Sequence, residues 1–511
     1  MDPHRLVASF LDGRARVGAE GSLTLGPRRS ANLAGKLRRA YRWIVEQALV
    51  CPYLDLDLGE VKSLGRGEAR IDLAGAGFAS YVLLPLCNLA TSQRLLFVGA
   101  PGRGKTTMAT LMAALAGIPR DEIRRIVQHG HPQLTTADLL GSPLPSSLVK
   151  AEQASEVKVE WRKWIGKRVK IIDEYNRIPT KTQSALLSLL AEGYAESFEQ
   201  VALAGKSAWF LTANDDAGGG TFQVIEALKD RIDLVVRAPP FHARSLDVLE
   251  ERVSDPAAPE ARVPTDVVFT AEELDQVEAE IRGIPVPAPV LDILGFFVGQ
   301  LDFCRRASDV LEYRNKDTLH LAGKKVANVC NEDCPLDKNA HICTQTENGV
   351  SARALQAILL FAKAIAYFRG TMEVSVADVR LVLPFALFDK LRVNPQSPYF
   401  YKPETRVLLL DRSTWIQRLF DQSTTQYATY APLREMVLAL RKEAESAAQT
   451  LTTADIKRRI GKVQRTLEEL LTRADLSGPI YDDLVLLKNV HENYQRRLAA
   501  AVRLEREQGS S

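Results

Sequence analysis

The first half of the chain is punctuated by three short apolar runs, each stopping abruptly on glycine or polar residues. Leu95-Leu96-Phe97-Val98 ends at Gly99, Val169-Lys170-Ile171-Ile172 ends at Asp173-Glu174, and Ala208-Trp209-Phe210-Leu211 ends at Thr212-Ala213-Asn214. Such runs, separated by helix-compatible stretches like Thr107 to Ala116, predict strands of a parallel sheet flanked by helices. From Phe241 to Asn394 the pattern turns helical, including Ala352 to Gly370 and Ala377 to Leu391, with the Pro- and Ala-rich Ser254 to Asp266 as a loop. Pro395-Gln396-Ser397-Pro398 marks a boundary. Beyond it, Ile456, Ile460, Val463, Leu467 and Leu470 alternate four and three residues apart, and Leu484, Leu487, His491, Tyr494 and Leu498 repeat a similar spacing after Gly478-Pro479. This seam predicts an antiparallel hairpin of coiled-coil-like helices around the Gly-Pro turn, with His491 packed on the stripe.

The elements divide the chain into an N-terminal extension (1–80), an α/β core (81–240), a helical unit (241–394) and a helical C-terminal region (395–511). In the extension, Leu33 to Val50 reads as helix and no chemistry is evident. With 511 residues, 46% of them hydrophobic, the chain can fill several cores. A net charge of only +3 gives no basic excess for nucleic acid or an anionic membrane. No apolar run reaches the roughly 18 residues of a membrane span. The opening Met1-Asp2-Pro3-His4 carries no apolar leader, and six cysteines in so long a chain do not describe a disulfide scaffold. A cytoplasmic protein without a membrane partner is expected.

The chemistry begins where the first strand ends. Gly99-Ala100-Pro101-Gly102-Arg103-Gly104-Lys105-Thr106 has the spacing G-x-x-x-x-G-K-T of a P-loop. Small residues let backbone N–H groups curl around phosphate oxygens, Lys105 neutralises the β/γ charge, and the Thr106 hydroxyl can ligate Mg²⁺. The helix that follows adds its N-terminus to the anion site. The candidate nucleotide-binding residues are therefore Gly99, Pro101, Gly102, Arg103, Gly104, Lys105, Thr106 and Thr107. Asp173, at the end of the second strand, is placed to hold Mg²⁺, and Glu174 to polarise an attacking water. Asn214 ends the third strand in the same crevice, where an amide can orient water or touch the γ-phosphate.

The segments Asp173-Glu174-Tyr175-Asn176-Arg177-Ile178-Pro179, Lys181 to Leu187, Leu228 to Asp233 and Gly349 to Leu355 resemble the MoxR-type AAA+ ATPases of the helix-2-insert group. Together they cover most of residues 85–395. The resemblance implies an α/β fold: an AAA+ P-loop parallel sheet flanked by helices, then an all-α lid and, here, a helical C-terminal region. It implies ATP and Mg²⁺ as ligands, ATP hydrolysis, and a ring of identical subunits, six by family behaviour. Asn214 looks like sensor 1, Arg231 like the arginine finger acting on a neighbour's ATP, and Arg353 like sensor 2. A fixed cationic fork suits both arginine positions, because charge develops on the transferred phosphoryl group. His129 to Leu144 falls where the family carries its extra helical insert, and Glu196 to Ala208 where a hairpin precedes the sensor strand. The implied work is chaperone-like remodelling of a partner protein, such as one with a von Willebrand A domain. Two other readings compete: a nucleic-acid-stimulated motor or loader, since MCM-type helicases share the broad group, and a nucleotide-gated scaffold with little hydrolysis.

One segment does not follow the family pattern. Four of the six cysteines, Cys304, Cys330, Cys334 and Cys343, lie in a polar insert (304–349) within the lid. Thiols gathered in a stretch too polar to supply a core point to a metal, either Zn²⁺ or a [4Fe–4S] cluster. Around zinc, His341 or His320 could replace Cys304. Cys51 and Cys87, in apolar surroundings, read as core residues.

Overall fold

The computed structural model describes residues 15–17, 23–25, 31–48, 53–57, 61–64, 71–74 and 77–508, the last span without 152, 154–155, 215–223, 255–257, 331–333, 340, 447–451 and 473–476. Cys51 lies outside the described residues. Its centre is a five-stranded sheet: β1 (Arg94–Val98), β2 (Val127–His129), β3 (Val169–Asp173), β4 (Ala208–Ala213) and β5 (Leu234–Arg237). All neighbours are parallel, in the order β5-β1-β4-β3-β2. The three apolar runs are thus β1, β3 and β4, buried on both faces. β2 and β5 are the edges: β2 is short and mixed in sequence, and β5 has only three consecutive apolar residues.

Helices cover both faces. α1 (Ala31–Trp43) comes first, followed by α2 (Ser80–Thr91), α3 (Lys105–Leu115), α4 (Thr180–Ala191) and α5 (Glu226–Arg231). Every residue of α2 is buried, and Asn88 ties it to β4 by donating to the Trp209 carbonyl at 3.0 Å. The lid adds α6 (Ala271–Arg282), α7 (Ala288–Asp302), α8 (Ala352–Arg369) and α9 (Val376–Leu387). Its helix ends obey local rules: Ser375 and Asp378 close a capping box on α9, and Gly370 stops α8 at φ 83°. α1 is no loose appendage. Lys36 bonds Glu273 of α6 at 2.7 Å, Arg38 donates to the Phe368 carbonyl of α8 at 3.0 Å, and Tyr41 meets the Phe368 ring edge-on.

The C-terminal helices are α10 (Arg412–Ser446), α11 (Thr453–Thr472) and α12 (Gly478–Gln508). α11 and α12 are antiparallel, since Arg459 reaches Tyr494 at 3.3 Å and Gln464 reaches His491 at 3.3 Å. α10 packs beside this pair as a third helix, supplying Tyr430, Leu433, Val437 and Leu440 to the same core. α10 joins two cores: Trp415, Ile416, Leu419 and Phe420 close the main one, and the second starts at Tyr430 with Phe296 of α7 and Phe303 just after that helix. Of the seam residues, Ile456, Ile460, Val463 and Leu470 are buried, whereas Leu467 is only partly covered. Among the described residues no helix is long and apolar enough to cross a membrane.

Candidate functional site

The carboxyl ends of β1, β3 and β4 meet at one crevice. Between β1 and α3, Gly99, Gly102 and Gly104 have φ of 151°, 75° and 73°. The last two are left-handed turns that open the loop and start α3 at Lys105. Lys105 is 6% exposed and donates to the carbonyls of Gly99 (2.6 Å) and Ala100 (2.9 Å) and to Asn214 Oδ1 (2.8 Å). Arg103 donates to the Ala238 carbonyl at 3.3 Å, Pro101 is exposed at the loop tip, and the Thr107 carbonyl accepts from Thr110 Oγ1 at 2.9 Å. A Cβ at Gly102 would meet nothing within 4 Å, so the cradle is open where phosphates would lie.

A second set of bonds gathers on the acidic pair. Asp173 Oδ1 accepts from Thr106 Oγ1 at 2.7 Å and Thr212 Oγ1 at 2.6 Å, and Oδ2 lies 3.4 Å from His129 Nδ1. The adjacent hydroxyl and carboxylate are an oxygen pair suited to Mg²⁺. Glu174 has φ 53°, a left-handed conformation that costs a non-glycine residue about 1 kcal/mol or more. Its N–H donates to Thr212 Oγ1 at 2.9 Å. Gly130 follows β2 here because a Cβ would fall 2.2 Å from the Glu174 carbonyl oxygen. The Glu174 carboxylate accepts from Asn214 Nδ2 at 2.7 Å and pairs with Arg177 at 3.2 Å. Asn214 therefore bridges Lys105 and Glu174, and Asn176 Nδ2 approaches the Asn214 carbonyl at 3.5 Å.

The two candidate arginines lie elsewhere. Arg231 ends α5, just before β5, with Nη1 on the Ala227 carbonyl at 3.2 Å and a buried Nε that has no partner. Asp233 pairs with Arg94, the first residue of β1, at 3.2 Å, which fixes this corner at the amino end of the sheet. β1 separates that corner from the P-loop by about 13 Å at roughly 3.3 Å per residue. Arg353 is at the same end, because it pairs with Asp230 at 3.1 Å, and Ser351, the N-cap of α8, bonds the same carboxylate at 2.8 Å. The structure thus brings together Lys105, Thr106, Asp173, Glu174 and Asn214, and holds Arg231 and Arg353 apart from them as a second group.

Sequence reasoning missed Thr212, His129, Arg177 and Gly130 as parts of the site. Thr212 was legible as the lone hydroxyl in an otherwise apolar strand, and Arg177 sits in the Asn-Arg pair after the acidic dyad. His129 and Gly130 carried no signal, since only the pairing of β2 with β3 brings them to Asp173.

Two further expectations shift. His129 to Leu144 contains one short helix, Thr136–Leu140, after which Gly141–Pro143 pairs with Val159–Trp161 as a hairpin. The hairpin before the sensor strand is Tyr194–Ser197 with Gln200–Leu203, earlier than Glu196 to Ala208, because Phe198 and Glu199 take the left-handed turn positions. As for the cysteines, no group of three or more His, Cys, Asp or Glu among the described residues is arranged to hold a metal ion, so the expected site is not assembled. His320 instead contacts the Glu347 carbonyl at 3.1 Å, and burial pushes the Cys343 thiol up to about 12. Cys87 is fully buried in the core.

Residues 94–234 match the family model of the ATPases associated with various cellular activities (AAA), and residues 338–407 match that of the AAA lid domain. The P-loop sheet, the acidic dyad and the helical lid make this chain an AAA+ ATPase. Protein MoxR of Paracoccus denitrificans is 25% identical over 351 residues, covering 67% of this chain and 91% of that protein. The uncharacterized protein YeaC of Bacillus subtilis (strain 168) is 29% identical over 226 residues, covering 42% of this chain and 66% of that one. A solved structure from Cytophaga hutchinsonii ATCC 33406, described as a candidate ATPase, overlays with a TM-score of 0.49 at 16% identity, covering 76% of this chain and 94% of that one. Within the AAA+ class, the chain belongs to the MoxR type.

Proposed function

We propose that this chain hydrolyses ATP at the interfaces of a homo-oligomeric ring and uses the cycle to remodel a partner protein in the cytoplasm. The observation that carries this reading is the separation of the two groups. One end of the sheet offers the phosphate cradle, the metal carboxylate and the base; the other offers Arg231 and Arg353, about 13 Å away. A chain so arranged cannot bring its own arginines to its own phosphates. Head-to-tail packing of copies solves this, and repetition of such a contact closes a ring if the rotation permits.

Each residue then has a task. Lys105 would leave the loop carbonyls for the β/γ phosphates, and the backbone of 99–106 would hold the chain of phosphates. Thr106 and Asp173 would hold Mg²⁺, which screens phosphate charge and orients the γ-phosphoryl group. Glu174 would accept a proton from the attacking water, with Asn214 setting the carboxylate's direction. Arg231 and Arg353 of one subunit would stabilise the charge developing on its neighbour's γ-phosphate. A protein partner is supported by apolar side chains exposed at the end of the short helix Pro145–Leu148 and on the Tyr194–Leu203 hairpin: Leu148, Val149, Phe198, Val201 and Leu203. The near-neutral charge balance disfavours the nucleic-acid reading.

Mixing tests the shared pocket. Glu174→Gln and Arg231→Ala proteins should each be inactive in phosphate release, and their equimolar mixture should regain activity, because some mixed interfaces combine an intact Glu174 with an intact Arg231. A mixture as silent as its components overturns the interface assignment.

A further inference from the structure

Two carboxylates hold the chain where it enters α8, one from the lid and one from the core. Gly349 packs against Asp302, the last residue of α7, and a Cβ there would fall 1.6 Å from Asp302 Oδ1. Val350 N–H donates to the same oxygen at 3.0 Å. Ser351 then caps α8: its hydroxyl accepts from Ala354 N–H at 3.2 Å and donates to Asp230 Oδ1 at 2.8 Å. Arg353 Nη1 donates to the other oxygen of that carboxylate, Oδ2, at 3.1 Å. Asp302 lies in the lid, so its bonds set the cap relative to α7. Asp230 lies on α5 of the core, so its two bonds tie the first turn of α8 to a different unit.

Asp230 also immediately precedes Arg231. The last turn of α5 therefore carries one guanidinium of its own beside a carboxylate that holds the lid's guanidinium. A part-exposed ion pair alone is a weak restraint, because solvent screens it and two side chains must be ordered. Here the carboxylate is short, and Ser351 pins its second oxygen, so its orientation is set from both sides. Arg353 spends one nitrogen on the pair and stays largely exposed, with the remainder of its fork turned to solvent.

We propose that Asp230 is a positioning residue: it holds Arg353 of the lid in register with Arg231 of the core, so that both meet one phosphate group on a neighbouring copy. The catalytic use of this clamp rests on the ring reading above; the clamp itself is a property of a single chain. Register matters because a displacement of about 1 Å at a reacting centre costs up to about a hundredfold in rate.

The test reads turnover and local order separately in the full chain. Asp230→Asn keeps an oxygen for Ser351 and removes the charge that holds Arg353. ATP affinity should stay unchanged, while single-turnover phosphate release falls about ten- to a hundredfold. In an Arg353→Ala background the same substitution should cost nothing more; losses that multiply overturn the proposal, as does an undiminished rate in the single variant. Mixed with Glu174→Gln, the Asp230→Asn chain should regain activity, because it supplies an intact cradle to the other chain's intact clamp. A mixture no faster than its components assigns Asp230 to folding and overturns the proposal. Independently of turnover, Asp230→Ala, which removes both bonds, should speed hydrogen exchange at Ala354 N–H about tenfold, with the middle of α8 unchanged. Unaltered exchange overturns the clamp. An unsubstituted chain that releases no phosphate instead sinks the ring reading and the catalytic use with it, and the exchange result still decides whether the clamp exists.

Discussion

The two ends of the central sheet carry opposite chemistry. At the carboxyl end every functional group is already engaged: Lys105 with Asn214, Asn214 with Glu174, Thr106 with Asp173. At the amino end Arg231 has a single backbone partner and a bare Nε, while Arg353 is 57% exposed despite its pair with Asp230. A site complete within one chain would have its cations satisfied internally. The difference teaches that the chain gathers its phosphate-cradle groups into one bonded set and keeps these two arginines apart from it, which is what the proposed interface between copies requires.

That contrast can be broken from either side. Arg231→Ala should reduce the turnover of bound ATP by about three to five orders of magnitude, as loss of an arginine finger does elsewhere, with ATP affinity nearly unchanged. Single-turnover phosphate release beside nucleotide binding measures both, and an undiminished rate would return Arg231 to the surface as a plain helix-end charge. Glu174→Gln should cost about two to four orders of magnitude in turnover while binding persists. Asp233→Ala attacks the corner itself: it strands Arg94 next to a strand end, so denaturant unfolding should show a loss of about 3 kcal/mol.

A pH-dependent effect concerns Lys170, in β3, fully buried and donating to the carbonyls of Lys167 (2.7 Å) and Ala204 (3.1 Å). Burial pulls its pKa down to about 7. Below that value the folded chain carries a buried charge at a cost of a few kcal/mol. As pH rises through about 7 towards the unfolded value near 10.4, the unfolded state holds the extra proton and stability from this group increases. Lys170→Met lacks this dependence. Its stability relative to the parent should therefore decline steadily between pH 7 and pH 10, and parallel curves would show that Lys170 is not desolvated as described.

How far the sequence could be read followed how local each determinant is. The P-loop, β1, β3 and β4 were legible because their signals lie in consecutive residues: an apolar run, a glycine spacing, a polar stop. β2 and β5 were not, since edge strands of three and four residues acquire their identity from pairing rather than pattern. The same reasoning separates Thr212, visible as a hydroxyl in an apolar strand, from His129, which reaches Asp173 only because β2 lies beside β3. The seam in α11 was legible in its spacing, but its third partner was hidden: α10 serves one core up to Phe420 and another from Tyr430. The grouping of Arg353 with Arg231 depended on an ion pair between residues 230 and 353, a separation no spacing rule spans.

The shared amide of Asn214 has a kinetic consequence. One oxygen is engaged by the lysine of the cradle, and the nitrogen of the same group restrains the base. On the proposed reading, a γ-phosphate arriving in the cradle would recruit that lysine, leave the amide free to turn, and so release its hold on the carboxylate only when there is something to cleave. In that scheme the base of an empty pocket would stay restrained, and a single side chain would tie activation to loading.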